Sequence, residues 1–251
     1  MPQTILITGG TGKFGRQFVE YFLKKEWTVA FTTTNQERGE SLLEEFTRPE
    51  KLIAFVSDLT KPGSVGKLVG DLRQRGCSIN HLVNNARSLD SLKTDSLGQS
   101  SREDFLAEYL MDVVVPYELS MALFNTQPDE LKTITNIGSQ YGLVAANPGL
   151  YEDYPKQSPI QYGVAKAALG HLTKELAVRL APAGVRVNCI AYGGVEGRVN
   201  SDFLKRYATL TPSGRMLNER ELAGPLEAVI SDSCSAITGQ TIAADGGWTL
   251  W

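Results

Sequence analysis

The stretch from Thr4 to Gly15, Thr-Ile-Leu-Ile-Thr-Gly-Gly-Thr-Gly-Lys-Phe-Gly, restricts the possible folds of this chain more than any other. Residues 4–8 are a short apolar run rich in β-branched side chains, which suits a strand buried on both faces. A glycine cluster follows. Arg16 to Lys25 then places Phe18, Val19, Phe22 and Leu23 on one face of an amphipathic helix. Residues 27–32 form a second strand. Strand, glycine turn, helix and strand within about thirty residues make a nucleotide-binding βαβ unit. Glycine belongs in the turn because the backbone must bend sharply and approach a pyrophosphate with no Cβ in the way. The helix amino terminus then offers free N–H groups to phosphate.

The alternation continues along the chain. Helices are expected at 37–46, at 61–75 (opened by Pro62), from a capping box at Ser101–Asp104 to about Phe124, at 162–180 and at 223–230. Strands are expected at 52–57, 81–85, 133–137, 185–190 and 241–244. Residues 87–101 read as a loop, and 193–224 as loop-like with short helical stretches. Repeated βα units imply an α/β protein: a single-domain Rossmann fold spanning 1–251, with a doubly wound, mostly parallel sheet flanked by helices.

Composition narrows the partners. With 25 basic and 28 acidic residues, scattered along the chain, the net charge is −3, which gives no electrostatic footing for nucleic acid or an anionic membrane. No apolar run approaches a membrane span, and the amino terminus reads as a strand rather than a signal peptide. Cys77, Cys189 and Cys234 are odd in number and far apart, as expected of free thiols in a reducing cytoplasm. His81 and His171 form no metal motif, so no metal is expected.

Tyr162 and Lys166 are four residues apart in a predicted helix and share one face. An ammonium beside a phenol favours the phenolate and lowers a pKa that is ordinarily about 10. With the Ser139 hydroxyl held opposite to receive a carbonyl, this is an acid–base site for moving a proton while something else moves a hydride.

The order of these features resembles the short-chain dehydrogenase/reductase family along almost the whole chain: the turn 8–15, Asp58-Leu59, Asn84-Asn85-Ala86, Ser139, Tyr162/Lys166, Arg186-Val-Asn188, Thr238-Gly-Gln240 and Asp245-Gly-Gly247. The resemblance implies that Gly9, Gly12 and Gly15, with Thr11, Lys13 and Phe14 in the same turn, cradle a dinucleotide. It places Asp58 and Leu59 beside the adenine, Asn85 and Ala86 by the adenosine-side ribose, and Gly193 and Val195 by the nicotinamide. Ser139 polarises a carbonyl, Tyr162 exchanges a proton, and Lys166 binds the nicotinamide ribose. A homodimer or homotetramer is also implied, through helices 102–124 and 162–180, with Gly163, Ala167, Ala168 and Gly170 as a small face for close approach.

The departures from the family pattern are specific. Lys13 stands where the turn's second glycine is expected, Arg87 follows Asn85-Ala86 in place of glycine, and Tyr192 replaces a proline. Asp112 falls where an asparagine completes the catalytic tetrad; a carboxylate there can still serve a proton relay but alters the field at Lys166. The second strand ends in Thr32-Thr33-Thr34 with no carboxylate before Glu37, and Lys13 and Arg38 lie nearby, so NADP(H) is expected over NAD(H). Ser139 and Tyr162 are 23 residues apart, longer than is usual in the family. The extra residues lie in an insertion around 143–160 whose tyrosines and acids suit a polyhydroxylated, sugar-like substrate. With residues 193–198, 213–217, Trp248 and Trp251, the insertion resembles a bacterial subgroup associated with flagellin modification and nonulosonate sugars, which implies a place in carbohydrate biosynthesis. Arg198 and Arg215 are candidates for a substrate phosphate or carboxylate. Two alternatives stand beside the carbonyl reductase: a 3-oxoacyl-thioester reductase, and a nucleotide-sensing scaffold without turnover.

Overall fold

The computed structural model describes residues 3–46, 49–197 and 199–251. In it, the strands are β1 (Thr4–Ile7), β2 (Thr28–Thr33), β3 (Leu52–Val56), β4 (His81–Asn84), β5 (Thr133–Ser139), β6 (Arg186–Tyr192) and β7 (Thr241–Ala244). They form one sheet in the order β3-β2-β1-β4-β5-β6-β7, and every neighbouring pair is parallel. The helices are α1 (Lys13–Lys24), α2 (Gln36–Glu45), α3 (Ser64–Gln74), α4 (Arg102–Tyr109), α5 (Val115–Thr126), α6 (Tyr154–Gln157), α7 (Ile160–Leu180), α8 (Ser201–Leu210) and α9 (Ala223–Ile230). This is the doubly wound Rossmann arrangement anticipated from the sequence.

Strand periodicity builds the two cores. Leu6, Ala30, Leu82, Ile134 and Val187 are in register across five strands and face α3, α5 and the carboxy-terminal half of α7. Their neighbours Ile5, Ile7, Val29, Phe31, Val83 and Ile190 point the other way, onto α1, α2 and α9. Each of the leucine, isoleucine, valine and phenylalanine side chains among them, once fully buried, contributes roughly 1.5–3 kcal/mol, so a slip of one residue in register would expose a whole face. The chain leaves β1 towards β2 and β3, then returns to place β4 on the other side of β1. The turns after β1 and β4 therefore meet at a topological switch point, where α/β sheets open a crevice.

Several boundaries differ from the sequence reading. The third helix starts at Ser64, not Lys61, because Gly63 adopts a left-handed φ of 78° and caps it. The expected helix from 102 to 124 is divided by a π-helical turn over Leu110–Val114. Pro116, which has no N–H to give to the carbonyl four residues back, sits just beyond that turn. The segment 193–224 contains α8, whose Tyr207 is buried. No helix among the described residues is long and apolar enough to cross a membrane.

Candidate active site

Close approach of backbone shapes the turn after β1. Gly9 has φ +67°, and a Cβ there would meet Ala86 Cα at 2.9 Å. A Cβ on Gly15 would lie 2.2 Å from the Gly9 carbonyl oxygen. Thr8 Oγ1 accepts from the Asn85 and Ala86 N–H groups at 2.9 and 2.8 Å, and the Asn85 amide donates to Thr8 O at 2.8 Å. Asn85 and Ala86 thus brace the glycine turn across the switch point. Helix α1 begins with no side-chain cap on Gly12, whereas Asn35, Ser101 and Asn200 cap α2, α4 and α8. Helix geometry leaves the first-turn N–H groups of α1 without partners, and the site therefore fits a dinucleotide pyrophosphate.

The rest of the predicted cofactor set is distributed around this turn. Phe14 packs edge-on against Tyr192, with ring centres 5.4 Å apart. Tyr192 is buried and donates to Leu222 O at 2.5 Å, so it serves as a floor beneath α1. Lys13 Nζ pairs with Glu219 at 3.3 Å and also donates to Glu196 O, spanning the crevice from α1 to the 193–221 segment. Thr33 Oγ1 meets Thr11 Oγ1 at 3.0 Å, and Thr34 is exposed. Asp58 accepts from the Thr60 hydroxyl and N–H at 2.6 and 3.1 Å, bonds that hold its carboxyl below the usual range; Leu59 is buried in the core. Gly193 lies against Asp245, which a Cβ would meet at 2.8 Å, and Val195 bridges to Leu217.

Ser139 ends β5 and is buried, with its Oγ accepting from Tyr141 N at 3.2 Å. Helix α7 carries Tyr162 and Lys166 past this strand end. The approach is close because Gly142 and Gly163 have no side chains: a Cβ on Gly142 would sit 2.8 Å from the Lys166 carbonyl carbon, and one on Gly163 would sit 3.0 Å from Tyr141 O. A buried polar chain sets the depth of α7, running from Asn84 Nδ2 to Asn136 Oδ1 at 2.8 Å and from Asn136 Nδ2 to Thr173 Oγ1 at 2.9 Å.

Lys166 is the electrostatic centre. Its Nζ donates to Asp112 Oδ1 and to Ile137 O, both at 3.0 Å, and lies 5.8 Å from the centre of the Tyr162 ring. Burial alone would push the ammonium down in pKa, but the Asp112 carboxylate and Tyr162 outweigh it and hold Lys166 above its ordinary value. Asp112, on the π-helical turn, is buried with it. The sequence reading brought Ser139, Tyr162, Lys166 and Asp112 together; the structure places them around the ends of β5 and α7.

Two participants, Glu108 and Tyr207, escaped that reading, and a third, Arg87, stood in it only as a departure from the family pattern. Glu108 is 2% exposed, accepts from Ser91 Oγ, and is pushed up in pKa first by burial and also by the Asp112 charge. Tyr207 donates to Gln140 Oε1 at 3.0 Å and accepts from Gly194 N at 2.9 Å, tying the residue after Ser139 to the 193–224 segment. Arg87 lies over the Tyr162 ring, its guanidinium carbon 4.5 Å from the ring centre. The insertion is not a free-standing flap. Leu150 is buried with Tyr207, Met216 and Trp248, and Tyr151 Oη meets Tyr141 Oη at 2.7 Å. Arg215 is held by Glu221 in two hydrogen bonds of 2.7 and 2.8 Å. Arg198 lies outside the described residues.

Comparison with known proteins gives these features a lineage. Residues 13–249 match the family model described as Enoyl-(Acyl carrier protein) reductase, of the short-chain dehydrogenase type. The chain belongs to the short-chain dehydrogenase/reductase family of oxidoreductases. Among its relatives in that family, the uncharacterized oxidoreductase YmfI of Bacillus subtilis is 27% identical, with 99% of each chain covered. Post-translational flagellin modification protein A of Campylobacter coli is 26% identical, with 98% of each covered. A short-chain dehydrogenase from Leptospira borgpetersenii, solved with bound NAD+, superposes with a TM-score of 0.88 at 28% identity, covering 99% of this chain and 93% of that one.

Proposed function

We propose that this short-chain dehydrogenase/reductase interconverts a carbonyl and a secondary alcohol on a polar, sugar-like small molecule, and that it prefers NADP(H). The bound nicotinamide dinucleotide supplies or accepts the hydride. Gly9, Thr11, Gly12 and Gly15 hold its phosphates against the uncapped start of α1, and Lys166 holds the nicotinamide ribose. Ser139 donates a hydrogen bond to the substrate oxygen, and Tyr162 gives that oxygen its proton in reduction and removes it in oxidation. Lys166 stays cationic beside the phenol, Asp112 accepts its hydrogen bond, and solvent returns the proton that Tyr162 gives up. The observation that carries this reading is the buried Lys166 ammonium, fixed by Asp112 and Ile137 O at 3.0 Å and set 5.8 Å from the Tyr162 ring. The test is reduced-cofactor oxidation on a panel of ketones and keto-sugars. Turnover lost in Tyr162→Phe, with cofactor still bound, supports it; turnover that survives Tyr162→Phe refutes it.

The NADP(H) preference is supported by a surface depression at the end of β2 lined by Thr11, Arg16, Glu37 and Arg38, a place for the 2′-phosphate. Arg38→Ala is expected to raise the Michaelis constant for NADPH roughly tenfold more than that for NADH. The sugar-like substrate is supported by the tyrosines of the 143–160 insertion and by the flagellin-modification relative. Exposed Phe105, Leu106 and Tyr109 on α4, Tyr117 on α5, and Val164 and Val178 on α7 suit burial in a cytoplasmic homodimer or homotetramer.

A further inference from the structure

We infer that Arg87 is the anion-recognising residue of the substrate pocket, so that the carbonyl substrate carries a carboxylate or phosphate within a few bonds of the reacting carbon; this rests on the oxidoreductase reading above. Arg87 follows the Asn85-Ala86 brace at the carboxyl end of β4 and is directed to the reacting tyrosine, with its guanidinium carbon 4.5 Å from the Tyr162 ring centre. This contact places the guanidinium over the ring. Its N–H groups make no hydrogen bond or ion pair with any described residue, and the side chain is exposed. Comparable basic groups lining the crevice are already neutralised: Lys13 by Glu219, Arg215 by Glu221 and Lys166 by Asp112. Glu108, the other acid in this region, is already bonded to Ser91 beneath the site.

A planar fork of donors held over an aromatic ring, with no partner for its N–H groups among the described residues, suits two-point capture of an oxyanion. Such a contact puts the anion about 2.8 Å from guanidinium nitrogen. It therefore lies beside the phenol, and the carbonyl that Tyr162 serves must be a near neighbour of the anionic group. The charge balance points the same way. The Asp112–Lys166 pair is neutral as a unit, and Glu108, whose carboxyl feels the Arg87 charge, is buried, held by Ser91 and pushed towards its neutral form, so among the described residues Arg87 has no ion-pair partner at Tyr162. An anionic substrate supplies one.

The experiment compares each of two oxo acids, acetoacetate and 2-oxobutanoate, with its ethyl ester, in wild type, Arg87→Gln and Arg87→Lys, using whichever reduced nicotinamide cofactor is oxidised. Malonate binding, measured by calorimetry with and without the oxidised cofactor, serves as a readout without turnover. Wild type is expected to favour the acids. Arg87→Gln should lower kcat/KM for the acids roughly ten- to a hundredfold more than for the esters, mainly through KM, with Arg87→Lys in between. Malonate binding should weaken in parallel. An equal fall on acid and ester, or malonate binding unchanged in Arg87→Gln, overturns the assignment. So does a loss confined to cofactor affinity, which would place the guanidinium on the pyrophosphate. If no ketone is turned over by wild type, the oxidoreductase reading fails, while the malonate comparison still decides whether Arg87 holds an anion.

Discussion

Asp112→Asn isolates the charge that distinguishes this site from the asparagine-bearing pattern of its family. Asp112 Oδ1 is 3.0 Å from Lys166 Nζ, which is 5.8 Å from the Tyr162 ring centre, so the carboxylate oxygen lies within about 9 Å of that ring. At the 3.0 Å contact with Lys166 and an effective dielectric of about 20, a unit charge is worth roughly 5 kcal/mol before the cost of burial is set against it. The Asp112 charge is what outweighs burial at Lys166, so removing it lets the buried ammonium give up its proton at lower pH. Asparagine keeps an acceptor for Nζ, so the loss of stability should be about 1–3 kcal/mol, below the 3–5 expected when a buried charge is left with no partner. The expected result is a downward shift of the alkaline limb of the rate profile, where Lys166 loses its charge. It appears as an earlier fall of the rate with rising pH in both directions of the reaction. Steady-state profiles of kcat/KM from pH 5 to 10 in both directions measure it. A limb that stays in place, or moves upward, refutes the argument that Asp112 holds Lys166 charged.

Gly15→Ala would force its Cβ to within 2.2 Å of Gly9 O; it should cost about 1–3 kcal/mol and abolish cofactor binding, read by thermal melts with and without NADPH. His81 is buried between Thr133 and Gln3, and burial lowers its pKa from 6.5 to about 4. The unfolded chain therefore takes up that proton first, and stability should fall by about 3 kcal/mol as pH drops from 6.5 towards 4. Urea midpoints over that range should show a smaller slope in His81→Gln. Glu108 is pushed up by burial, so its ionisation opposes folding, and stability is lost as pH rises from the ordinary carboxylate range through its raised value. Glu108→Gln should be more stable than wild type at pH 8, by urea titration, and the gain should vanish at pH 4.

The sheet was legible because each strand is an apolar run set off by turn residues, as in Leu52–Val56 and His81–Asn84. The close contacts of Gly9 and Gly15 were legible for a similar reason: only glycine fits where a Cβ would meet backbone, and a strand before and a helix after make that position recognisable. The π-helical turn was not, since Leu110–Val114 has ordinary helical composition and only Pro116 hints at a change of winding. Glu108 is a charged residue on a helix, which reads as a solvated face. Its burial comes from the 85–101 loop folding over α4, where Ser91 bonds it and Gln161 donates to Ser91 O at 2.7 Å. Tyr207 contacts Gln140 across 67 residues, a pairing with no local signal. Segment 193–224 looked irregular because glycines and Pro212 flank α8, although Phe203 and Tyr207 share one face of it.

Arg87 and Asp112, both departures from the family pattern, act on one residue with opposite sign. Asp112 cancels the Lys166 charge from beneath, and Arg87 brings a second cation to the exposed face of the Tyr162 ring. Replacing either alone unbalances the site; replacing both with the family's residue types, asparagine and glycine, leaves Lys166 as the sole cation. The double-mutant cycle of Asp112→Asn and Arg87→Gly on the pH–rate limb tests whether the two changes compensate. Asp112→Asn should move the limb down and Arg87→Gly up, the latter by less because solvent screens an exposed guanidinium. The double variant should then lie between them and nearer Asp112→Asn. If Arg87→Gly leaves the limb unchanged, the guanidinium acts on the substrate alone, and the field at Tyr162 is set entirely by the buried Asp112–Lys166 pair.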